Sequence, residues 1–476
     1  MSDAAGGSGT TGPGATDPGA SSGDAGPVPP PAGPAPRQLA VVAFLAAIVG
    51  VVVSLAAWCF LELIHQVQVG VFTDIPNDMG DHTPPWWWLL LVLGVAGIIV
   101  ALAIAHLPGR GGHIPAEGLK VGGATVQPNE LPGIVLAGFA TISLGLVLGP
   151  EAPLLAMGGG LGVLAIKLAR RGAPAQLQML MAAAGSFAAM SFLFDQPIIA
   201  AVILLEALGL DRRTLPLMLI PGLTAAGIGS LVSLGMGSFT GLSSSAYALA
   251  PVSLPAFGRV DVAELGWTVL VAIIAAIVIF VIYRLAAVVQ RIVFSRPLVL
   301  TAAAGMVVAG LAIAFSHAAG HDVSEVLFSG QDQLPGLIDG ASTWSVSALL
   351  LLLGFKGLAW SVSLGSFRGG PTFPSLFLGA AGGLLASRLP GFDLTAAVAV
   401  GMGAAFASAL KLPLSAVVVA SLLAGKAGAS AEPLIIVGVV VAYLVTVGLD
   451  RLMASRSAAD EADSAGGHTA VAPAAA

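Results

Sequence analysis

The chain has 476 residues, of which 57% are hydrophobic and 9% charged, and its formal net charge is −6. Soluble proteins carry about 25% charged residues, so with a mean hydropathy of +0.95 a water-facing globule is excluded. The balance is acidic without a basic face, which excludes nucleic acid as a partner, and the single cysteine, Cys59, excludes a disulfide framework or a cysteine metal cluster.

Residues 1–36 are Gly, Pro, Ala, Ser and Thr with a few Asp, too little apolar surface to order a chain, and read as a disordered tail rather than a signal peptide. The run 38–62, within a helix expected over 38–68, and the run 86–107 are each long enough to cross a hydrocarbon layer of about 30 Å as a helix of about 20 residues. Cys59 lies within the first run and reads as a small buried hydrophobe. Arg37 precedes the first run, Arg110 and Lys120 follow the second, and the connection holds Asp74, Asp78 and Asp81 but no Lys or Arg. This bias places the N-terminus in the cytoplasm. Trp86, Trp87 and Trp88 open the second run and suit either an interfacial belt or ordinary packing.

Further predicted helices cover 115–122, 130–148, 152–170, 177–193, 197–210, 214–236, 261–295, 297–316, 322–337, 343–363, 373–388, 392–409, 412–425 and 431–453. Several are too short to span a membrane alone. Short apolar segments broken by Gly and Pro imply re-entrant helices buried inside protein. From Ser455 the chain is again Ala, Ser and acidic residues, expected to be a disordered tail over 455–476 with no soluble domain after the membrane part.

An internal repeat organises the middle. "GPEAPLLAMGGGLG" (149–162) and "AAAGSFAAMSFLFDQPIIAAVILLE" (182–206) correspond to "GGPTFPSLFLGAAGG" (369–383) and "AVGMGAAFASALKLPLSAVVVAS" (399–421). Pro153 pairs with Pro374, and Pro197 with Pro413. A first repeat over about 37–236 and a second over about 261–454 follow, a pattern of transporter architecture in which the binding site lies where half-helix N-termini meet. Four Gly/Pro turns enter helices: "GGHIP" (111–115), "GPEAP" (149–153), "GGPTFP" (369–374) and "KLP" (411–413). Helix N-termini carry free N–H donors and about half a positive charge, so they suit anions.

These turns resemble, in order, the three motifs of the CLC chloride channel and transporter family: "GGHIP", "GPEAP" and "GPTFP" stand where the family has "GSGIP", "G(K/R)EGP" and "GxFxP". "GHDVSEVLFSG" and the stretch from "LGFKGLAWSVSLGSFRGG" to "KLPLSAVVV" are similar as well, so that the resemblance covers about 40–450. It implies an all-α polytopic fold of two inverted-topology repeats with broken helices, about 18 in all, spanning 37–454, and a homodimer with one pore per subunit. It also implies a multi-pass protein of the cell membrane without C-terminal CBS domains, with both termini cytoplasmic. The implied activity is transport of small inorganic anions, chloride first, by antiport with protons or by passive conduction. Neither an enzyme activity nor a cofactor or resident metal is expected, and the chain has no phosphate-binding lysine loop for an ATP-driven pump.

The resemblance marks Gly112, His113 and Ile114 in the first turn, Glu151 and Ala152 in the second, and Thr372 and Phe373 in the third as anion-binding positions. Glu151 takes the gating position, an anion mimic when charged; its bland alternative is a helix-capping acid. Glu206 stands at the first of two inner acids, with Ala207 at the relay position. It reads either as a proton feeder or as a helix-end acid paired with Arg212 or Arg213. Other departures are Gly112 for the family's serine, Pro150 for a basic residue, Pro371 opening the third motif, and no tyrosine after the last helix. His113 is either a donor to the anion or a loop histidine satisfied locally; Lys356 and Arg368 either raise the local potential or snorkel. Fluoride or another anion, an organic solute, and a non-conducting assembly role are the competing readings.

Overall fold

In the computed structural model, residues 36–118, 126–209, 215–240, 252–258 and 260–467 are described. The expected N-terminal tail therefore lies almost wholly outside them, as do Lys120, Arg212 and Arg213. Among the described residues the structure is all-helical apart from one isolated backbone bridge.

The first half consists of α1 (Pro36–Val69), α2 (Ile75–Asp78), α3 (Trp86–His106), α4 (Leu131–Ser143), α5 (Glu151–Ala169), α6 (Ala175–Phe194), α7 (Pro197–Leu208) and α8 (Leu215–Thr240). The second consists of α9 (Val262–Val293), α10 (Pro297–Ala319), α11 (Gln333–Asp339), α12 (Val346–Ser366), α13 (Thr372–Ala386), α14 (Leu394–Leu410), α15 (Pro413–Leu423) and α16 (Gly425–Gly467). Nine helical stretches among the described residues are long and apolar enough to cross a membrane, whereas α7, α13, α14 and α15 are shorter apolar helices. Every residue of α14 from Thr395 to Leu410 is buried, and α13 is nearly as enclosed. Enclosure inside protein is the condition under which broken helices are tolerated at membrane depth. On the outside, Phe44, Leu63, Leu231 and Val299 are exposed, as expected of a surface that meets lipid rather than water.

Three expectations need correction. The helix expected over 115–122 is a single 3₁₀ turn, Pro115–Glu117, closed by Gly118 at φ +82°; residues 119–125 lie outside the description. The helix expected over 322–337 is a 3₁₀ turn, Val323–Glu325, then α11, because Phe328 (φ +57°) and Gly330 (φ +89°) take left-handed backbone between them. Cys59 is exposed on α1 rather than buried. At the C-terminus, α16 runs past Ser455, where the tail was expected to begin, to Gly467.

The duplication is visible atom by atom. Gly158 and Gly379 stand five residues after Pro153 and Pro374, and Gly185 and Gly401 twelve residues before Pro197 and Pro413. A Cβ on Gly185 would lie 2.0 Å from the Gly158 carbonyl oxygen, and one on Gly401 would lie 2.2 Å from that of Gly379. Helices α5 and α6 thus meet backbone to backbone, as α13 and α14 do, in the small-residue packing that substitutes for a hydrophobic drive within lipid. Each small-residue helix ends on a left-handed residue, Asp195 in α6 and Lys411 in α14. Two residues later a proline restarts the chain as α7 or α15.

Candidate anion site

Pro150 and Pro371 occupy equivalent positions and hold nearly the same backbone, φ −81°, ψ −4° and φ −91°, ψ −5°. Each lets its helix begin one residue later, at Glu151 and at Thr372. Immediately before them, Gly149 and Gly370 are also equivalent, and they bond to each other reciprocally: Gly149 N–H donates to Gly370 O at 2.8 Å, and Gly370 N–H to Gly149 O at 2.7 Å. This is the isolated antiparallel bridge of the chain's described part. A reciprocal antiparallel bond between equivalent residues places a local twofold axis between them, so the two turns are related by a half-turn about this point.

The Glu151 side chain crosses that axis. Its Oε1 accepts the backbone N–H of Thr372, its own counterpart in the other half. The Thr372 hydroxyl and the Phe373 N–H are turned on the same carboxylate. Pro371 has no N–H to give, so the first donors of α13 are the two expected ones. Glu151 is wholly buried, its Oε2 has no hydrogen-bond partner, and among the described residues no cation pairs with it. A carboxylate thus sits where the N-terminus of α13 offers unpaired donors and partial positive charge.

Two glycines make the space. A Cβ on Gly370 would lie 2.0 Å from Glu151 Cδ, and one on Gly149 would lie 2.1 Å from Glu151 Oε2. Phe373 closes the other flank, its ring 5.7 Å from that of Phe194 at the end of α6. Ala152, next in α5, is partly buried.

The first turn joins through Arg368. A Cβ on Gly111 would meet Arg368 Cγ at 3.2 Å, and the Arg368 backbone N–H donates to Thr141 Oγ1 at 3.3 Å. Burial lowers the guanidinium to about 10, with Glu117 opposing; it stays cationic at neutral pH. Its Nη1 donates to Phe367 O at 3.0 Å, and Nε is buried without a partner. Arg368 therefore does not snorkel. Gly112 (φ +85°) needs the left-handed backbone that glycine supplies. The ring of His113 bonds through Nε2 to Gly118 O within its own loop, and Ile114 is partly buried. The structure thus brings Glu151, Thr372 and Phe373 into contact, while the Gly112–Ile114 turn is tied in by way of Gly111 and Arg368.

Glu206 has a different setting. Its Oε1 accepts Leu414 N–H at 2.9 Å, and its Oε2 accepts Ser415 N–H at 2.7 Å and Ser415 Oγ–H at 2.6 Å. A first-half acid again caps a second-half helix, here α15, and this partnership was not foreseen from the sequence. Lys356 also turns inward: Nζ donates to Glu325 O at 2.7 Å and Leu327 O at 3.1 Å and stands 4.3 Å from the centre of the Phe377 ring. It fixes the loop after α10 by binding its carbonyls, and being wholly buried it does not snorkel. Spacing along the chain carries no sign of these ties, nor of the Gly149–Gly370 pair. Among the described residues no group of His, Cys, Asp and Glu could hold a metal.

Comparison with known proteins agrees with this architecture. A family model described as "Voltage gated chloride channel" matches residues 100–447. "Putative ion-transport protein YfeO" of Escherichia fergusonii is 27% identical over 368 residues, covering 74% of this chain and 80% of the relative. Among solved structures, a slow cyanobacterial Cl−/H+ antiporter aligns with a TM-score of 0.67 at 19% identity, over 87% of this chain and 95% of its own. A CLC-type fluoride/proton antiporter aligns at 0.61 with 17% identity, over 87% of this chain and 97% of its own.

Proposed function

This chain belongs to the voltage-gated chloride channel (CLC) family, and from that premise we propose that it carries small inorganic anions across a membrane along a path plugged by Glu151. One observation carries the reading: a fully buried carboxylate rests on the N-terminus of α13, at the axis between the two halves. A charged carboxylate competes there with a halide for the same donors. Protonation removes the charge, weakens the hold of Thr372 and Phe373, and lets the side chain leave. The buried Arg368 guanidinium raises the potential for an anion nearby, and the site needs no fixed cation in direct contact, which favours release as well as entry.

Chloride is our first assignment and exchange with protons our preferred mode, because the acid that would carry the proton is retained. The aligned antiporters, one for chloride and one for fluoride, make fluoride the comparison anion. In this reading Glu206 can pass protons only when its carboxylate leaves α15. We further assign a homodimer and cytoplasmic termini from membership of the family; for the N-terminus the absence of Lys and Arg between the first two long apolar runs supports the same side.

The test is anion efflux from liposomes holding the purified protein, with pH recorded at the same time. Chloride flux with proportionate proton movement, converted by Glu151→Gln into flux that no longer depends on pH or moves protons, is the expected result. Chloride flux with no proton movement in the wild type would replace exchange by passive conduction. No flux of chloride or fluoride from either form would end the proposal.

A further inference from the structure

Lys356 stands near the middle of α12, a helix long and apolar enough to cross a membrane, and is wholly buried. Among the described residues no carboxylate pairs with its ammonium. An ionisable group at that depth is expensive and marks a functional element by default. The ammonium lies instead against four consecutive carbonyls, those of Glu325 (2.7 Å), Val326 (3.4 Å), Leu327 (3.1 Å) and Phe328 (3.5 Å), with the Phe377 ring beside them. An ammonium has three protons to donate and accepts nothing, so the loop must turn these oxygens towards it.

The loop does so at a cost in backbone conformation. Phe328 has φ +57°, a region that residues other than glycine rarely adopt. While its carbonyl faces Lys356, its N–H donates to Gly145 O at 3.1 Å. Its ring stands 4.9 Å from that of Phe72, and a Cβ on Gly145 would lie 3.0 Å from the Phe72 ring. Gly145 (φ +92°) opens the segment 145–149 that leads to Glu151.

The same segment is held a second time from α12. Val147 N–H donates to the buried Ser363 Oγ at 3.2 Å. Ser363 follows Lys356 by seven residues, about two helical turns, and so lies on the same face of the helix. The segment ends at Gly149, whose mutual bond with Gly370 is an isolated bridge. One bridge fixes a point but leaves the chain free to swing about it, so the angle at which Glu151 meets Thr372 is set elsewhere. The holds at Gly145 and Val147 set it.

We propose that Lys356 and Ser363 are positioning residues for the Glu151 plug. Lys356 acts through the 325–328 loop and Ser363 directly. Together they fix the segment 145–149 and so seat the carboxylate on the N-terminus of α13. This inference rests on the transport reading above and adds two residues to its machinery.

The experiment combines hydrogen–deuterium exchange with the liposome efflux assay on the full-length wild type, Lys356→Met and Ser363→Ala. Lys356→Met keeps an unbranched side chain of similar length but removes the charge and its donors. Exchange of the amides in 145–149 is expected to quicken about tenfold, the effect of losing a hydrogen bond to a charged group, while peptides of the enclosed α14 stay protected. Efflux is expected to depend less on pH in both variants than in the wild type, because a loosely seated carboxylate plugs the path poorly even when charged. Ser363→Ala removes one hydroxyl and alters no charge. Its result therefore stands if Lys356→Met fails to fold, and a changed pH dependence there is positional rather than electrostatic. Unchanged exchange at 145–149 in a folded Lys356→Met would overturn the proposal. So would wild-type pH dependence in both variants, which would reduce the pair to braces of the fold and leave the Glu151 reading intact. A wild type that moves no anion, or moves it independently of pH, would remove both readings.

Discussion

Glu151 is held by geometry that a single methyl group can undo. Gly370 has no side chain because the Glu151 carboxyl occupies that volume, with Cδ only 2.0 Å from where a Cβ would stand. Gly370→Ala is therefore expected to expel the carboxylate without altering its chemistry, giving anion efflux from liposomes that is less dependent on pH than in the wild type. Unchanged pH dependence would mean that the side chain is not the plug. At this scale the sequence was legible where a motif fixed the position. Glu151, Thr372 and Phe373 were all marked, and the structure brings them together. Glu206 was marked, but its partner could not be read: α15 begins more than two hundred residues further on, and only the fold brings Leu414 and Ser415 to it.

The element scale is governed by close helix crossings. Because Gly185 and Gly401 each face a backbone carbonyl at a distance no Cβ can accept, Gly185→Ala and Gly401→Ala are expected to lower the apparent Tm in detergent, each by overpacking that costs about 1–3 kcal/mol. Gly382→Ala, on the same helix as Gly379 but with nothing within 4 Å of its Cβ position, is the control and should leave Tm unchanged. Equal effects from all three would show that helix propensity, rather than contact, decides stability here. The broken helices themselves were readable from Pro153, Pro197, Pro374 and Pro413, since proline in a first turn sacrifices no helical hydrogen bond. Where elements were misread, backbone conformation was the cause. Positive φ at Gly118, Phe328 and Gly330 ends or splits segments that were expected to continue as helix.

Over the whole molecule, the arrangement in a membrane follows from a sparse set of charges. The tip between α1 and α3 holds Asp78 and Asp81, whereas Arg37 and Arg110 lie at the far ends of those helices. In a Cys59→Ala background, which removes the chain's one thiol, Asp81→Cys is expected to react with a membrane-impermeant maleimide on intact cells. Ser455→Cys should react only after lysis. The reverse pattern would invert the assignment of the termini. The duplication was legible at this scale from repeated glycines and prolines. How the copies face each other was implied only by the family resemblance, because the order of residues along a chain carries no direction in space; the mutual bond of Gly149 and Gly370 adds a local twofold axis between the two turns.

That bond has a consequence for polarity. A strict dyad would make the passage identical from either side, and nothing in the backbone of the two turns distinguishes one approach from the other. The distinction comes from what the duplicated copies carry at one matched place, an acid in the older-numbered half and a threonine in the later one. At this bridge, then, the two directions differ through side chains, the acid against the threonine first among them, laid over turns whose backbone is nearly twofold.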